Sequence, residues 1–254
     1  MLKIRQISAL ADNYIYIITD LETQLSACID PALSEPIFKL VEKENINLKY
    51  IFNTHHHFDH VGGNEELKEK IGCKVVGNKK DKDRIPGIDI FLENNQSFSL
   101  GNSKCLIFEV PGHTVGHICF YFNKDNVLFC GDTLFSLGCG RLFEGTPSQM
   151  TESLLKIRSL PDETKIYCGH EYTQSNAAFA QKLDPNDSLL QKKIDEIEKK
   201  RNKSQPTIPS ILGDEKKLNP FLKFDDIEFL KKVGLKNSTN DENFKTLRIM
   251  KDNF

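Results

Sequence analysis

Four of the seven histidines in the chain lie within residues 55–60, and this cluster constrains the fold more than any other feature. It follows a predicted strand over residues 50–53 and precedes a predicted helix over 64–71. Side chains alternate in an extended segment, so His55 and His57 point the same way, and a turn then adds Asp59 and His60. Imidazole and carboxylate groups at this density favour a cation such as zinc or iron. We therefore predict a metal site just beyond the end of a strand.

Three further ligand-type residues follow predicted strands. His113, Asp132 and His170 each stand one to three positions after such a strand and next to a glycine. Functional groups in sheet proteins often lie on the loops at one edge of the sheet. We expect these loops to converge on the histidine cluster.

The number of candidate ligands predicts two metal ions rather than one. A single tetrahedral ion cannot use all seven, which are His55, His57, Asp59, His60, His113, Asp132 and His170. We assign three to the first ion (His55, His57, His113), three to the second (Asp59, His60, His170), and Asp132 as the bridge. Two ions in this arrangement can hold a bridging hydroxide as nucleophile, which Asp59 would also orient. His56 and His117 are expected to support the ligands or the fold.

Charge and cysteine content exclude several classes. The net charge is −2, which gives no global attraction to nucleic acid. No apolar run approaches the ~20 residues that a membrane span needs. The seven cysteines are odd in number and lack a C-x-x-C pair, which predicts free thiols in a reducing, cytoplasmic compartment.

Two domains are predicted from the change in pattern near residue 171. Residues 1–170 alternate short strands with helices, including a helix over 149–160 with Ser148 as its N-cap. Residues 171–254 are predicted to be helical, with helices over 187–202, 225–233 and 241–250. We therefore predict a catalytic α/β domain over 1–170 and a smaller helical, substrate-binding domain over 171–254.

The spacing Thr-His-x-His-x-Asp-His, with the later Gly-His, Gly-Asp and Gly-His pairs, resembles the metallo-β-lactamase superfamily. This resemblance implies an α/β (α+β) fold, the αββα sandwich with metals at one edge. Several stretches are also similar to the glyoxalase II family, the hydroxyacylglutathione hydrolases, and the similarity extends from residue 3 to the C-terminus. The stretches are residues 10–14, 131–135, 138–146, 168–173, 219–221 and 248–252.

The family resemblance implies a substrate and cofactors. The expected activity is hydrolysis of S-(2-hydroxyacyl)glutathione, chiefly S-D-lactoylglutathione, to D-lactate and glutathione, the second step of methylglyoxal detoxification. Two divalent metal ions are implied, zinc first, with iron or manganese as alternatives. A cytoplasmic monomer without a nucleic-acid or membrane partner is expected.

The resemblance also implies which residues hold glutathione. They are Arg141, Phe143, Tyr172, Arg248 and Lys251. Arg141 stands where lysine is common, and it keeps the charge while adding a fork suited to carboxylate. Phe143 stands where tyrosine is common, so one hydroxyl donor is missing.

Two other functions compete with this interpretation. A glutathione persulfide dioxygenase with a single iron keeps much of the same histidine motif, although residues 140–146 and the helical extension argue against it. A nucleic-acid hydrolase is suggested by the basic residues near Lys199. Acidic residues interleave with that run, however, so it is typical of a solvated helix face.

Overall fold

The computed structural model describes residues 1–236 and 238–254. The described chain forms two compact units. The first unit contains Met1–Glu109 and Val115–Gly131, and the second contains Val110–Thr114 and Asp132–Phe254.

The first unit is built on a six-stranded sheet in the order β1-β2-β3-β4-β5-β6. β1, β2 and β3 are antiparallel, whereas β3 to β6 run parallel. The carboxyl ends of the parallel strands therefore meet at one edge, where side chains from successive loops can gather. The strands are β1 (Leu2–Ala9), β2 (Asn13–Asp20), β3 (Leu25–Ile29), β4 (Asn47–Phe52), β5 (Lys74–Asn78) and β6 (Ile88–Leu92).

A second, antiparallel set of strands in the first unit faces that sheet. Its order is β10-β9-β8-β7, and its members are β7 (Ser97–Leu100), β8 (Ser103–Glu109), β9 (Ile118–Phe122) and β10 (Val127–Gly131). Phe52 of β4 stacks on Phe120 of β9 with ring centroids 4.9 Å apart, and Phe98 of β7 meets Phe52 edge to face. Burial of these aromatic side chains holds the two layers together.

Three helices of the first unit pack with the first sheet. They are α1 (Glu35–Glu44), α2 (Phe58–Val61) and α3 (Asn64–Ile71). Ile37 and Leu67 from these helices share a buried cluster with Ile17 and Ile51 of the sheet. This arrangement of a helical layer on two facing sheets follows from strands that are apolar on both faces.

The second unit is mainly helical. Its helices are α4 (Pro147–Arg158), α5 (Thr173–Leu183), α6 (Ser188–Arg201), α7 (Leu212–Leu218), α8 (Ile227–Lys232) and α9 (Asn240–Asp252). Its short strands are β11 (Leu134–Phe135) paired with β12 (Gly138–Cys139), and β13 (Lys165–Cys168) paired with β14 (Ser210–Ile211). α6 buries Leu190, Ile194 and Ile197, as its apolar spacing predicts.

Some sequence expectations need correction. Ser148 is not the N-cap of α4: Thr146 caps it in a capping box with Gln149, and Pro147 takes the first turn, where its missing N–H costs nothing. The strands β6, β7, β11, β12 and β14 and the helices α2, α5 and α7 were not predicted. All of them except α5 are short, and short elements give weak periodicity. Residues 123–126, whose Asn-Lys-Asp-Asn sequence is typical of a turn, connect β9 and β10.

The seven cysteines are all free, as predicted, and the structure buries every one of them. Among residues 1–236 and 238–254, no helix has both the length and the apolar character needed to cross a membrane. The division into a catalytic domain at 1–170 and a substrate-binding domain at 171–254 stays a prediction.

Candidate metal centre and substrate cavity

The histidine segment, residues 53–60, begins where β4 ends and is held by buried polar contacts of the first unit. Asp30, directly after β3, accepts hydrogen bonds from the Thr54 amide at 2.8 Å and from Thr54 Oγ1 at 2.7 Å. Asn53 donates to the His60 carbonyl at 2.9 Å and is paired with Asn64. These buried groups satisfy one another, so they fix the backbone that carries the histidines.

Within this segment, the ring nitrogens of three histidines have defined neighbours. His55 Nε2 lies 3.1 Å from His57 Nδ1, and His55 Nδ1 lies 3.0 Å from Thr54 Oγ1. His60 Nδ1 lies 3.0 Å from Asp30 Oδ2. A histidine whose Nδ1 contacts a hydroxyl or a carboxylate is oriented with Nε2 available as a ligand atom. His55 and His60 therefore have the surroundings of metal ligands.

Asp59 is more exposed than the neighbouring ligand His60, with 37% of its side chain accessible against 1%. Its Oδ2 accepts a hydrogen bond from Asn13 Nδ2 at 2.9 Å and lies 3.6 Å from His60 Nε2. Asn13 also donates to the Asp59 carbonyl at 3.1 Å. The carboxylate is thus held in place beside His60 and stays partly exposed.

The two remaining histidines of the first unit support this segment. His56 Nδ1 lies 3.4 Å from Asp81 Oδ2, and Arg84 also contacts Asp81. Burial raises the pKa of Asp81, but the hydrogen bonds with His56 and Arg84 outweigh burial and leave that pKa lowered. The buried ring of His117 stacks on His55 at 4.6 Å. His56 therefore contacts Asp81, and His117 packs on the ring of a predicted ligand.

The other three predicted ligands lie together in the second unit. Asp132 Oδ2 is 3.2 Å from His170 Nε2 and 3.5 Å from His113 Nε2. His113 Nδ1 donates to the Arg141 carbonyl at 2.8 Å, which directs Nε2 towards Asp132. All three side chains are nearly buried. One carboxylate oxygen between two imidazoles fits the predicted role of Asp132 as a bridge.

Two glycines are required beside Asp132. Gly131 has a φ of 47°, and a Cβ on it would lie 2.3 Å from Thr54 Oγ1 within the first unit. In the second unit, a Cβ on Gly140 would lie 2.0 Å from the Asp132 carbonyl oxygen. The Gly-Asp and Gly-Cys-Gly motifs of the sequence therefore reflect close backbone approach.

A cavity of about 400 Å³ in the second unit is lined by residues of the glycine-cysteine segment, residues 138–143, and by α9. Its lining includes Arg141, Phe143, Arg248 and Asp252. Phe143 is 63% exposed, and its ring lies edge to face with His113 at 5.1 Å. Three of the five predicted glutathione residues therefore share one cavity.

Arg248 is buried and already makes several contacts. Its Nη1 donates to the Cys139 carbonyl at 2.9 Å, its Nη2 lies 2.9 Å from Asp252 Oδ1, and its guanidinium lies 4.9 Å from the Phe221 ring centroid. The sequence did not predict this support of the glycine-cysteine segment. A direct contact between Arg248 and a substrate stays a prediction.

Lys251 and Tyr172 complete the predicted glutathione residues. Lys251 Nζ donates to the Ser175 carbonyl and hydroxyl, each at 2.9 Å. Partial burial, together with repulsion from Arg248 and Arg141, lowers the pKa of Lys251 to about 8. The Tyr172 ring stacks on His170 with centroids 4.7 Å apart. Tyr172 therefore supports a predicted ligand as well as offering a hydroxyl.

The donor chemistry of the two units fits divalent metal ions. Imidazole nitrogens and carboxylates are grouped, and His60 and His113 each direct the second ring nitrogen to a carboxylate or carbonyl oxygen. Sequence reasoning missed Asp30 and Asn13, which hold the histidine segment. Asp30 also stands directly after a strand, but its neighbours are Ile29 and Pro31 rather than a glycine, so the rule that selected Asp132 passed over it.

Comparisons with known proteins agree with this chemistry. The family model described as metallo-beta-lactamase superfamily matches residues 20–170, and the model described as hydroxyacylglutathione hydrolase C-terminus matches residues 171–254. A relative from Pelagibacter ubique, named hydroxyacylglutathione hydrolase, is 50% identical over 253 residues and covers 100% of both chains. A protein of the same name from Methylococcus capsulatus is 46% identical, covering 100% of this chain and 99% of its own.

Solved structures show the same fold. ETHE1 from Myxococcus xanthus matches with a TM-score of 0.70 at 24% identity, covering 98% of this chain and 89% of its own, a likeness that concerns the fold alone. TTHA1623 in a di-iron-bound form matches with a TM-score of 0.57 at 27% identity, covering 66% and 91%. Because the relatives match over the full length and both family models apply, the chain belongs to the hydroxyacylglutathione hydrolase family of the metallo-β-lactamase superfamily.

Proposed function

We propose that this chain is a metal-dependent thioester hydrolase that cleaves S-(2-hydroxyacyl)glutathione, chiefly S-D-lactoylglutathione. Water adds to the thioester carbonyl and the C–S bond breaks, giving a 2-hydroxy acid and glutathione. The observation that carries this proposal is the match over the whole chain to relatives named hydroxyacylglutathione hydrolase, including the helical C-terminal part. With D-lactate as product, the reaction would be the second step of methylglyoxal detoxification.

The seven predicted ligands would hold two divalent ions. His55, His57 and His113 would bind one ion, Asp59, His60 and His170 the other, and Asp132 both. When bound, such a pair supplies a nucleophile from water at neutral pH and stabilises the negative charge that develops on the carbonyl oxygen. Zinc suits these ligands first, and the di-iron form of a similar solved structure supports iron as the alternative, beside manganese.

Apart from the metal ions, the reaction needs an oriented water molecule and a leaving group that can depart. The Asp59 carboxylate, held by Asn13, would orient the attacking water. The thiol of glutathione has an ordinary pKa of about 8.5, so its thiolate can leave without a dedicated proton donor. This property favours a thioester over an amide as the substrate of such a site.

Recognition of glutathione would fall to the second unit. Arg141, Arg248 and Lys251 carry positive charge, and glutathione carries two carboxylates that charge-assisted hydrogen bonds can hold. Phe143 and Tyr172 would line the same site with their rings. Lys251 and Ser175 are already paired, so a carboxylate would join or replace that contact.

The first experiment is hydrolysis of S-D-lactoylglutathione by the purified, metal-analysed protein, followed as loss of thioester absorbance. Rapid turnover that stops on chelation and returns with zinc, iron or manganese supports the proposal. Absence of turnover by a protein that holds two metal ions per chain contradicts it. Oxygen consumption with glutathione persulfide then tests the dioxygenase alternative.

The partner and compartment predictions belong to this proposal. We expect a cytoplasmic monomer that binds a small thioester and neither nucleic acid nor membrane. The expectation that nucleic acid is not bound rests on α6. Lys193 on this helix is paired with Asp214 at 2.9 Å, and acidic residues lie between its exposed lysines. Size-exclusion chromatography with light scattering measures the oligomeric state directly.

A further inference from the structure

The turn between β11 and β12 in the second unit has an unusual residue at its tip. Leu137 has a φ of 56°, which is the left-handed region that a leucine rarely adopts. Its side chain is buried with Ala177 and Ala180 of α5 and Ile194 of α6. A strained backbone of this kind persists only where the surroundings determine it. The tip of the hairpin is therefore anchored in the core formed by α5 and α6.

The main chain of the same turn is held by two buried polar side chains from a distant part of the sequence. Glu215 Oε2 accepts a hydrogen bond from the Leu137 amide at 2.8 Å. Asn219 Nδ2 donates to the Phe135 carbonyl at 3.1 Å and the Gly138 carbonyl at 3.0 Å. Asn219 also lies 3.0 Å from Glu215 Oε2, which ties the two side chains together. We call Glu215 and Asn219, with the Leu137 side chain, the hairpin bracket.

The hairpin bracket does more than fill space. Glu215 and Asn219 are both completely buried, and a buried carboxylate is costly unless its hydrogen bonds are made. Burial raises the pKa of Glu215 even against its hydrogen bonds from Leu137 and Asn219. Apolar residues of similar size often stabilise a core as well as such groups do. The hydrogen bonds of Glu215 and Asn219, in contrast, require one arrangement of the amide and carbonyl groups of the turn.

The hairpin connects two functional positions along the chain. Asp132 stands two positions before β11, and its contacts with His113 and His170 fix that end within the second unit. The other end leads from Cys139 to Arg141 and Phe143 on the cavity. Arg248 holds the Cys139 carbonyl only one residue beyond the part that Asn219 holds. A shift of the hairpin would therefore move the cavity residues more than Asp132.

We propose that Glu215, Asn219 and Leu137 are positioning residues that set the place of the glycine-cysteine segment, and through it the specificity for the glutathione part of the substrate. The identity of that substrate rests on the proposed function. The position of the segment does not, because it follows from contacts within the second unit. This difference allows the two proposals to be tested apart.

The central variant is Asn219→Ala, with Asn243→Ala as the matched control. Asn243 is another buried amide of the second unit, and it donates to the Phe224 carbonyl at 2.9 Å. For Asn219→Ala we expect KM for S-D-lactoylglutathione to rise at least about tenfold, with kcat changed less than about threefold. Metal content should stay at the wild-type value. Asn243→Ala should lower the melting temperature comparably without this split between KM and kcat.

A readout independent of activity is amide hydrogen exchange in a peptide covering residues 133–143. Exchange there should quicken in Asn219→Ala and stay unchanged in Asn243→Ala. Glu215→Gln keeps an acceptor for the Leu137 amide, so it should fall between wild type and Glu215→Ala in both readouts. If Asn219→Ala does not fold, Glu215→Gln and Leu137→Ala provide the same comparison.

The proposal would be overturned if Asn219→Ala had the hydrogen exchange and the KM of the wild type. It would also be overturned if Asn219→Ala and Asn243→Ala lost kcat and substrate affinity equally, in proportion to their losses of melting temperature. Lack of turnover by wild-type enzyme would instead contradict the proposed function. Exchange in residues 133–143 would still decide whether the hairpin bracket fixes the segment.

Discussion

The histidine segment and the glycine-cysteine segment are held in place by different kinds of contact. The histidine segment is anchored mainly by residues at the ends of neighbouring strands, chiefly Asp30 beside Thr54 and His60. The glycine-cysteine segment and its hairpin are anchored by side chains that come much later in the chain, chiefly Asn219 and Arg248. The predicted metal ligands of the histidine segment are thus positioned by the sheet topology. The residues expected to bind substrate are positioned by contacts with the helical part of the chain.

This difference separates two sources of function. A parallel sheet brings the ends of consecutive strands together whatever the loops contain, so ligands can be placed by topology alone. A cavity on a hairpin needs partners that only the helical part supplies. We therefore expect variants around the histidine segment to change metal content and kcat, and variants around the glycine-cysteine segment to change KM.

Replacement of Asp132, the predicted bridge, should have the largest effect. It also distinguishes, within the second unit, a predicted metal ligand from the residues expected to bind substrate. In Asp132→Ala, activity should fall by at least about 10³-fold, because the lost ligand removes several kcal/mol of charge stabilisation. Metal per chain, measured by mass spectrometry of the purified protein, should fall as well. The exposed Asp83→Ala is the control and should keep both values. A fully active Asp132→Ala enzyme would refute the bridging role.

The support of the histidine segment comes next. Asp30→Asn keeps the shape of the side chain but replaces one acceptor with a donor, which faces Thr54 or His60. Metal affinity, measured by competition with a chelator, should fall about 10- to 100-fold, because the orientation of His60 is lost.

Asp20→Asn is the matched control for Asp30→Asn. Asp20 is also a buried carboxylate at the end of a strand, with Ser103 Oγ at 2.6 Å and the Thr23 amide at 2.8 Å. Its hydrogen bonds outweigh burial and keep its pKa low, so the variant should lose stability but keep its metal. Equal metal loss in both variants would mean that Asp30 acts only through the fold.

The two segments also differ in how far the sequence predicts them. The spacing of His55, His57, Asp59 and His60 after a strand predicted a metal site because alternation and strand ends are local properties. The residues of the second unit were selected as ligands by the same rule, and the structure places Asp132 between His113 and His170.

Long-range support had no such local signal. Nothing near Asn219 in the sequence indicates that its amide holds the carbonyls of Phe135 and Gly138. The resemblance marked residues 219–221 without a role, and it marked Arg248 as a substrate residue without its contact to Cys139. Such roles depend on tertiary packing, which periodicity and motif spacing do not report.

Lys251 tests whether the second unit controls binding rather than chemistry. Lys251→Ala should raise KM for S-D-lactoylglutathione about tenfold and lower kcat less, since one charge-assisted hydrogen bond contributes about 1.5–3 kcal/mol. The exposed Lys200→Ala on α6 should leave KM unchanged. A KM unaltered by Lys251→Ala would remove this residue from the substrate site.

The pH dependence of KM distinguishes charge from packing at Lys251. Its pKa is lowered to about 8, first by burial and then by Arg248 and Arg141, so the ammonium is present below that pH and lost above it. The KM of the wild type should therefore be flat below pH 8 and rise above it. Lys251→Arg should remove the rise, because arginine stays protonated. A rise that persists in Lys251→Arg would have to come from another group.

The smallest expected effect concerns Phe143, where a hydroxyl is missing relative to the family pattern. Phe143 is exposed at the cavity and contacts His113 through its ring, so a hydroxyl at the far end of the ring would not disturb the core. Phe143→Tyr should lower KM about 2- to 10-fold, the value of one neutral hydrogen bond, with kcat unchanged. The matched control is Phe91→Tyr, another exposed phenylalanine, on β6 of the first unit, which should change neither constant. If Phe143→Tyr alters kcat instead of KM, this residue of the glycine-cysteine segment affects the chemical step. The expectation that this segment controls KM and the histidine segment controls kcat would then be wrong for Phe143.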